Sequence, residues 1–201
     1  MKLKTHAIFS TGLLTLINSQ YTNFNFSLIL AGIISIIANS LIDMLGHNEE
    51  GSDSKEEYCR IICRIYRSPH NKVDKDENKD EKMYRSPLTH TVYTSIAWGI
   101  VSTIIPLALL TLTQSTYEYN YHHLIYEYNY YHLIPLMIID GIIVGPSHMF
   151  LDAFTEAGIF VKKNGKWKRA AIAHFKYDNP VLNGLAILAG IIMLIISAKA
   201  Y

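Results

Sequence analysis

The stretch Phe24–Leu45, with the sequence FNFSLILAGIISIIANSLIDML, decides the fold class of this protein. A bilayer core needs about 20 consecutive apolar residues in a helix. This stretch is long enough, and its single charged residue, Asp43, lies near its end. Only 17% of the 201 residues are charged, against about 25% in soluble domains. The sequence therefore indicates an integral membrane protein.

Four further apolar segments accompany this stretch. Three of them are also long enough to span a bilayer: Pro87–Thr113, Leu133–Phe154 and Pro180–Ala198. The segment Thr5–Asn18 is short for a span. A cleaved signal peptide is the alternative for it, but no small-residue cleavage site follows. We therefore predict an all-α, polytopic membrane helix bundle of about five transmembrane helices.

Two of these segments carry start signals for a helix. Ser86 precedes Pro87, and Asn179 precedes Pro180. Ser and Asn are favoured N-caps, and proline is favoured at the first helical position. The pattern predicts N-caps at Ser86 and Asn179, and it predicts a kink at Pro106 inside the third segment.

The basic residues predict the orientation of the bundle. If all five segments span, residues 1–4, 46–86 and 155–179 share one side, and they hold every lysine and arginine of the 18 except Lys199. Basic residues are retained on the cytoplasmic side. We therefore expect a cytoplasmic N-terminus and one multi-pass membrane domain, residues 1–201, in a cell or host cell membrane.

The connecting segments differ in composition. Residues 48–82 are rich in charged and polar residues and predict a partly mobile cytoplasmic loop. Inside it, Glu56–Tyr66 is typical of a short amphipathic helix that carries Cys59 and Cys63. Residues 114–132 predict an external loop around a tandem repeat, in which YEYNYHHLI is followed by YEYNYYHLI. Its tyrosines suit a membrane interface.

A small β-hairpin is predicted between helices 4 and 5. The segment Ile159–Lys168 reads IFVKKNGKWK. Asn-Gly between basic and aromatic residues is a strong hairpin signal.

Ionisable residues in the apolar segments are the candidates for chemistry, because such residues are expensive in a membrane and usually functional. Five of them fall at the ends of segments that the orientation places at the cytoplasmic face: His6, Asp43, His90, His148 and Asp152. No lysine is among them. His90 is expected in the first turn of its helix.

His148 and Asp152 have the sharpest spacing. Four residues is one helical turn, so both side chains share a face. Imidazole and carboxylate are standard zinc ligands, and His6, Asp43 and His90 would complete a cluster of three histidines and two carboxylates. Such a set suits one Zn²⁺, or two metals that share a carboxylate. A bound metal would acidify a water toward a pKa of about 7.

Each of these residues also has a simpler interpretation. A terminal histidine is commonly an interfacial group, and an aspartate near a helix end such as Asp43 is usually solvated. His148 and Asp152 could be a hydrogen-bonded pair. Asp140, three turns before Asp152, is expected to be a hydrogen-bonding group inside the bundle and not a ligand.

The ordered motifs resemble the membrane-bound metal-dependent hydrolase family of prokaryotes, which includes a LexA-regulated inner-membrane branch. The archaeal and viral branch is most similar. The matching pieces are THAIFS with His6, SLID with Asp43, RSPLTH with Arg85 and His90, and SHMFLDAFTEAGI with His148 and Asp152. The resemblance implies a helical fold distantly like phospholipase C, a metal site at the motif residues, and a hydrolase of phosphoesters or lipids.

The sequence departs from that family at two places. The family often has Pro-Asp-x-Asp-His at the end of helix 2, where this chain has Ser-Leu-Ile-Asp-Met, and the histidine is displaced to His47. Tyr84 stands where a histidine usually precedes the arginine. These departures favour one metal ion over two.

Three hypotheses for function follow. The first is a metallohydrolase that uses Zn²⁺, or another divalent metal such as Mn²⁺, at the cytoplasmic face, where His47 shuttles a proton and Arg85 neutralises phosphate. The second is a non-catalytic membrane protein with a structural or degenerate metal site, such as a viral factor. The third is a transporter with Asp140 on its path. A net charge of +1 gives no sign of a nucleic acid partner.

Overall fold

The structure is a computed structural model that describes residues 1–48, 84–117 and 126–199. Its described part contains five helices and two short antiparallel ladders. The helices are α1 (Leu3–Asn18), α2 (Phe24–Gly46), α3 (Val92–Tyr117), α4 (Tyr126–Asp152) and α5 (Pro180–Lys199). One ladder joins β1 (His47–Asn48) to β2 (Tyr84–Arg85), and the other joins β3 (Ile159–Lys163) to β4 (Lys166–Ala170).

Four of the described helices are long and apolar enough to cross a membrane: Phe24–Gly46, Val92–Leu109, Leu133–Asp152 and Pro180–Lys199. Large apolar side chains such as Ile29, Ile36 and Leu188 point outward from them. The prediction of an all-α polytopic bundle is therefore confirmed. Helix α1 has 16 residues, fewer than the roughly 17 that a span needs, so its crossing of the membrane stays a prediction.

Helix α1 lies inside the bundle and runs antiparallel to α4. Three side-chain pairs join the two helices in order: His6 to Asp152, Ser10 to Ser147, and Asn18 to Asp140. Apolar side chains fill the space between these pairs, among them Leu14, Ile34 and Met137. The beginning of α1 is therefore held beside the end of α4.

Two glycine contacts bring helices unusually close together. A Cβ atom at Gly12 of α1 would overlap the backbone of Gly190 in α5, and a Cβ at Gly99 of α3 would overlap the backbone of Gly141 in α4. Small residues at such crossings let helix backbones approach, which is a common device in membrane bundles.

Helix α3 begins later than the Ser-Pro signal predicts. Its cap is Thr91, whose Oγ1 accepts from the amide of Thr94, while the Thr94 hydroxyl accepts from the amide of Thr91. These two reciprocal hydrogen bonds satisfy the backbone amides of Thr91 and Thr94 at the beginning of the helix, as in a capping box. Ser86 instead closes a turn, in which its carbonyl accepts from the amide of His90. The predicted cap at Ser86 is therefore wrong.

Helix α4 begins earlier than predicted. It starts at Tyr126 and ends at Asp152, with Pro135 and Pro146 inside, whereas the expected segment was Leu133–Phe154. The second copy of the tyrosine repeat therefore continues the helix instead of forming a loop. The second copy of the repeat contains no proline or glycine, so the helix of the following apolar segment can begin within it. Residues 114–117 of the predicted external loop belong to the end of α3, and residues 118–125 lie outside the described residues.

Two local predictions are confirmed. Asn179 caps α5, because its Oδ1 accepts from the amide of Leu182 at 3.0 Å. The hairpin turns at Asn164 and Gly165, both with positive φ, as a type I′ turn requires. Pro106 lies inside α3. The predicted amphipathic helix Glu56–Tyr66, with both cysteines, lies outside the described residues.

Candidate metal centre

Four parts of the chain bring the five predicted ligands together at one end of the bundle. His6 comes from the beginning of α1 and Asp43 from the end of α2, while His148 and Asp152 come from the end of α4. His90 lies in the turn before α3, not in its first turn as predicted, because Thr91 is the cap. The side chains of His6, His90, His148 and Asp152 are fully buried, and that of Asp43 is 17% exposed.

The carboxylate of Asp152 is at the centre of this cluster. Its Oδ1 lies 3.3 Å from Nε2 of His6. Its Oδ2 lies 3.2 Å from Nε2 of His148 and 3.6 Å from Nε2 of His90. One carboxylate thus faces all three imidazoles, through the same nitrogen of each ring.

Asp43 completes the cluster from the other side of His148. Its Oδ1 lies 3.3 Å from the Nε2 atom of His148. Two triads result, one of His6, His148 and Asp152 and one of Asp43, His90 and His148, and in each the ligand atoms lie within 4.8 Å of one another. Both triads contain His148, so this residue belongs to both candidate metal-binding groups.

The imidazole rings are packed tightly. The rings of His6 and His148 are stacked, with centroids 3.8 Å apart and an angle of 10° between their planes. The ring of His90 meets that of His148 edge-on at 5.8 Å. In both rings Nε2 faces an oxygen of Asp152.

The amino group of Met1 also contacts Asp152. It donates to Oδ1 at 2.8 Å, and both groups are fully buried. Oδ1 therefore faces both this amino group and Nε2 of His6.

Asn39 fixes the tautomer of His148. The Nδ2 atom of Asn39 donates to the carbonyl of Ser35 at 2.7 Å, and a carbonyl can only accept. The amide oxygen Oδ1 must therefore face Nδ1 of His148, 2.8 Å away, and that nitrogen must be the donor. In the neutral ring, Nε2 then presents its lone pair to the two carboxylates.

A lone pair that faces two carboxylates is an unfavourable arrangement unless a cation stands between them. Nε2 of His148 is buried and makes no hydrogen bond of good geometry within the described residues, and the same holds for Nε2 of His6. Either a proton or a metal ion resolves the repulsion. The chemistry of this donor set, imidazole nitrogens and carboxylate oxygens, fits a divalent metal.

His90 is positioned by its neighbours. Its Nδ1 lies 2.8 Å from the hydroxyl of Thr89, and its carbonyl accepts from the amide of Phe160 in β3 at 2.8 Å. A Cβ atom at Gly46 would overlap the ring of His90 and the hydroxyl of Thr89. The end of α2 therefore requires glycine, and the hairpin anchors the ligand turn.

The remaining residues of the SHxxxDxxTxxG motif shape the backbone after the ligands. Ser147 contacts Ser10 through their hydroxyls at 2.8 Å. Thr155 donates its hydroxyl to the carbonyl of Asp152 at 2.8 Å, which closes the end of α4. Gly158 has a φ of 60° and lets the chain turn into β3.

The two predicted catalytic residues pair through their backbones. His47 and Arg85 are directly opposite partners in the ladder of β1 and β2, which directly follows α2 and therefore lies close to Asp43. Their side chains lie outside the described part of the structure.

Asn39 is a residue of the site that the sequence motifs do not include. It is one turn before Asp43 on α2, so the two share a face. A polar amide in an otherwise apolar span, at this spacing from a predicted ligand, was the signal that could have found it. Asp140 is confirmed as a hydrogen-bonding group inside the bundle, because its Oδ2 accepts from Nδ2 of Asn18 at 2.8 Å.

Residues 1–70 and 65–151 match the protein family described as "Protein of unknown function (DUF1286)". The two matches together reach from residue 1 to residue 151, which is most of the chain. The chain belongs to this family. The matched part contains four of the clustered ligands, His6, Asp43, His90 and His148, and Asp152 directly follows it. No curated protein and no solved structure matches the chain.

Proposed function

We propose that this protein is a membrane-bound hydrolase that depends on a divalent metal and acts on a phosphoester or lipid at the cytoplasmic face of a cell or host cell membrane. One observation carries the proposal. Nε2 of His148 faces the carboxylates of Asp43 and Asp152 at 3.3 Å and 3.2 Å, and Asn39 holds the ring in that orientation.

Zn²⁺ is the first choice for the ion, because three imidazoles and carboxylates are typical zinc donors. Mn²⁺ is the second choice, because carboxylates suit it as well. When bound, such an ion supplies Lewis-acid polarisation of a phosphoryl oxygen and acidifies a water. His6, Asp43, His90, His148 and Asp152 would hold it.

In the proposed reaction the substrate arrives from the side of Asp43. Asp43 is the only one of the five with an exposed part of its side chain. The ladder of His47 and Arg85 directly follows its helix. In the proposed reaction His47 moves a proton at this rim, and Arg85 binds the negative charge of a phosphate.

The sequence motifs support the same proposal. The order THAIFS, SLID, RSPLTH and SHMFLDAFTEAGI is similar to that of membrane-bound metal-dependent hydrolases, and the ligands proposed from that likeness are the residues that cluster.

A second candidate function is a non-catalytic membrane protein in which the metal joins helices. Four of the five ligands are fully buried, and closed sites are typical of structural metals, whereas catalytic sites keep an open position. In this case the ion would stabilise the bundle, because its ligands connect α1, α2 and α4 to the turn before α3.

The test is to measure metal content and hydrolysis on the same detergent-purified protein. A panel of phosphomonoesters, phosphodiesters and phospholipids serves as substrates. His148→Ala is expected to lose both metal and turnover, and His174→Ala is the matched control, because His174 is an exposed histidine outside the cluster. Metal-dependent turnover supports the hydrolase. Stoichiometric metal without turnover of any substrate supports the structural site, and protein without metal contradicts both.

A further inference from the structure

The β-hairpin β3–β4 carries a concentration of positive charge that the metal centre does not use. Its strands and turn contain Lys162, Lys163, Lys166, Lys168 and Arg169, and all five are exposed. Residues 157–177 contain no aspartate or glutamate. The charge of the hairpin is therefore not neutralised by its own segment.

The strand register sorts these residues onto two faces, because directly opposite residues share a face and neighbours alternate. On one face Lys162 is opposite Trp167, and Arg169 is opposite Phe160. Both cations lie 5.8 Å from the centre of the opposite ring. The charges on this face therefore have aromatic partners within the hairpin.

The other face has lysines without such partners. Lys163 is directly opposite Lys166, and Lys168 is two residues further along β4, on the same face. Within the described residues, no ion pair, hydrogen bond or ring contact involves these three side chains. Like charges directly opposite each other destabilise a ladder, so this arrangement favours an anion between them.

The position of the hairpin determines which anion is near. Residues 153–158 join it to α4 and residues 171–179 join it to α5, and both helices are candidate membrane spans. The amide of Phe160 also holds it to the end of the bundle at His90. The hairpin is therefore confined to the membrane surface, where phospholipid phosphates are the abundant anions.

We propose that the face of Lys163, Lys166 and Lys168 binds the phosphate of anionic phospholipid headgroups in the surrounding bilayer. Basic residues at a membrane surface are attracted to anionic lipids. The inference goes beyond the proposed hydrolase and does not depend on the metal centre.

The test compares two double variants that remove the same charge from different faces. Native mass spectrometry in detergent measures the affinity of the full chain for phosphatidylglycerol and phosphatidylcholine. Lys163→Gln with Lys166→Gln is expected to reduce the preference for phosphatidylglycerol roughly 30-fold. Lys162→Gln with Arg169→Gln is the matched control and should reduce it much less. His148→Ala should retain the preference, which separates this test from that of the hydrolase.

Three results would overturn the proposal. The first is an equal loss in both double variants, which would mean that only total charge matters. The second is no loss in either variant. The third is displacement of phosphatidylglycerol by inorganic phosphate at equal concentration, which would make this face a site for free phosphate and not for lipid.

Discussion

Nδ1 of His148 donates its hydrogen to Oδ1 of Asn39 at 2.8 Å, and this contact determines which nitrogen faces Asp43 and Asp152. Asn39 is not itself a candidate ligand. Its hydrogen bond orients the ring of His148 so that Nε2 can bind a metal ion. Partners of this kind orient metal-binding histidines and are important for affinity.

Replacement of Asn39 tests this role. Asn39→Ala removes the acceptor, so the ring of His148 can rotate or change tautomer. We expect zinc affinity to fall about 10–100-fold, measured by competition with a chelating dye. Asn18→Ala is the control, because Asn18 is an equally buried asparagine that binds Asp140 instead. An equal loss of zinc affinity in both variants would show that general destabilisation is responsible.

The end of α2 offers a second test. Gly46→Ala places a methyl group on the ring of His90 and on Thr89. We expect a loss of stability of about 1–3 kcal/mol from overpacking together with weaker metal retention, measured by thermal unfolding and elemental analysis. Gly32→Ala in the same helix is the control, since nothing lies within 4 Å of its added Cβ. It should be neutral or stabilising, and a Gly46→Ala protein with the same stability and metal content would contradict the described packing.

Asp140 is expected to contribute to stability and not to metal binding. It lies about 18 Å from Asp152 along α4, from the helical rise. Asp140→Ala leaves Asn18 buried without its partner, a loss of about 1–3 kcal/mol, whereas Asp140→Asn can still accept a hydrogen bond. Metal content should not change in either variant. Ion flux in vesicles that depends on Asp140 would instead support a transporter.

The orientation of the bundle is directly measurable. In a variant without Cys59 and Cys63, Lys166→Cys in the hairpin should react only with reagent on the cytoplasmic side. Gln20→Cys, an exposed position between α1 and α2, should react only from outside. Labelling of both from the same side would mean that one of α2, α3 and α4 does not cross the membrane, and labelling of Lys166→Cys from outside would reverse the predicted topology.

The sequence was sufficient to predict much of the site. Ionisable residues in apolar helices are rare, so His6, Asp43, His148 and Asp152 stood out, and the basic residues placed them at one face. The Asn-Gly turn of the hairpin and the cap at Asn179 were also predictable, because local hydrogen bonds determine them.

Other features depend on contacts that the sequence does not reveal. Two cap signals compete before α3, and the reciprocal bonds of Thr91 and Thr94 make Thr91 the cap instead of Ser86. The role of Asn39 depends on its distance from a histidine that is 109 residues away in the chain. The need for glycine at Gly46 arises only when the turn of His90 packs against it.

The zinc content of the detergent-purified protein after zinc loading tests the central claim most directly. We predict about one zinc ion per chain, or two if Asp152 bridges them, with a near-complete loss in His148→Ala and no change in His174→Ala. A protein that retains no stoichiometric zinc or other divalent metal, although it is folded, would contradict the proposed metal centre.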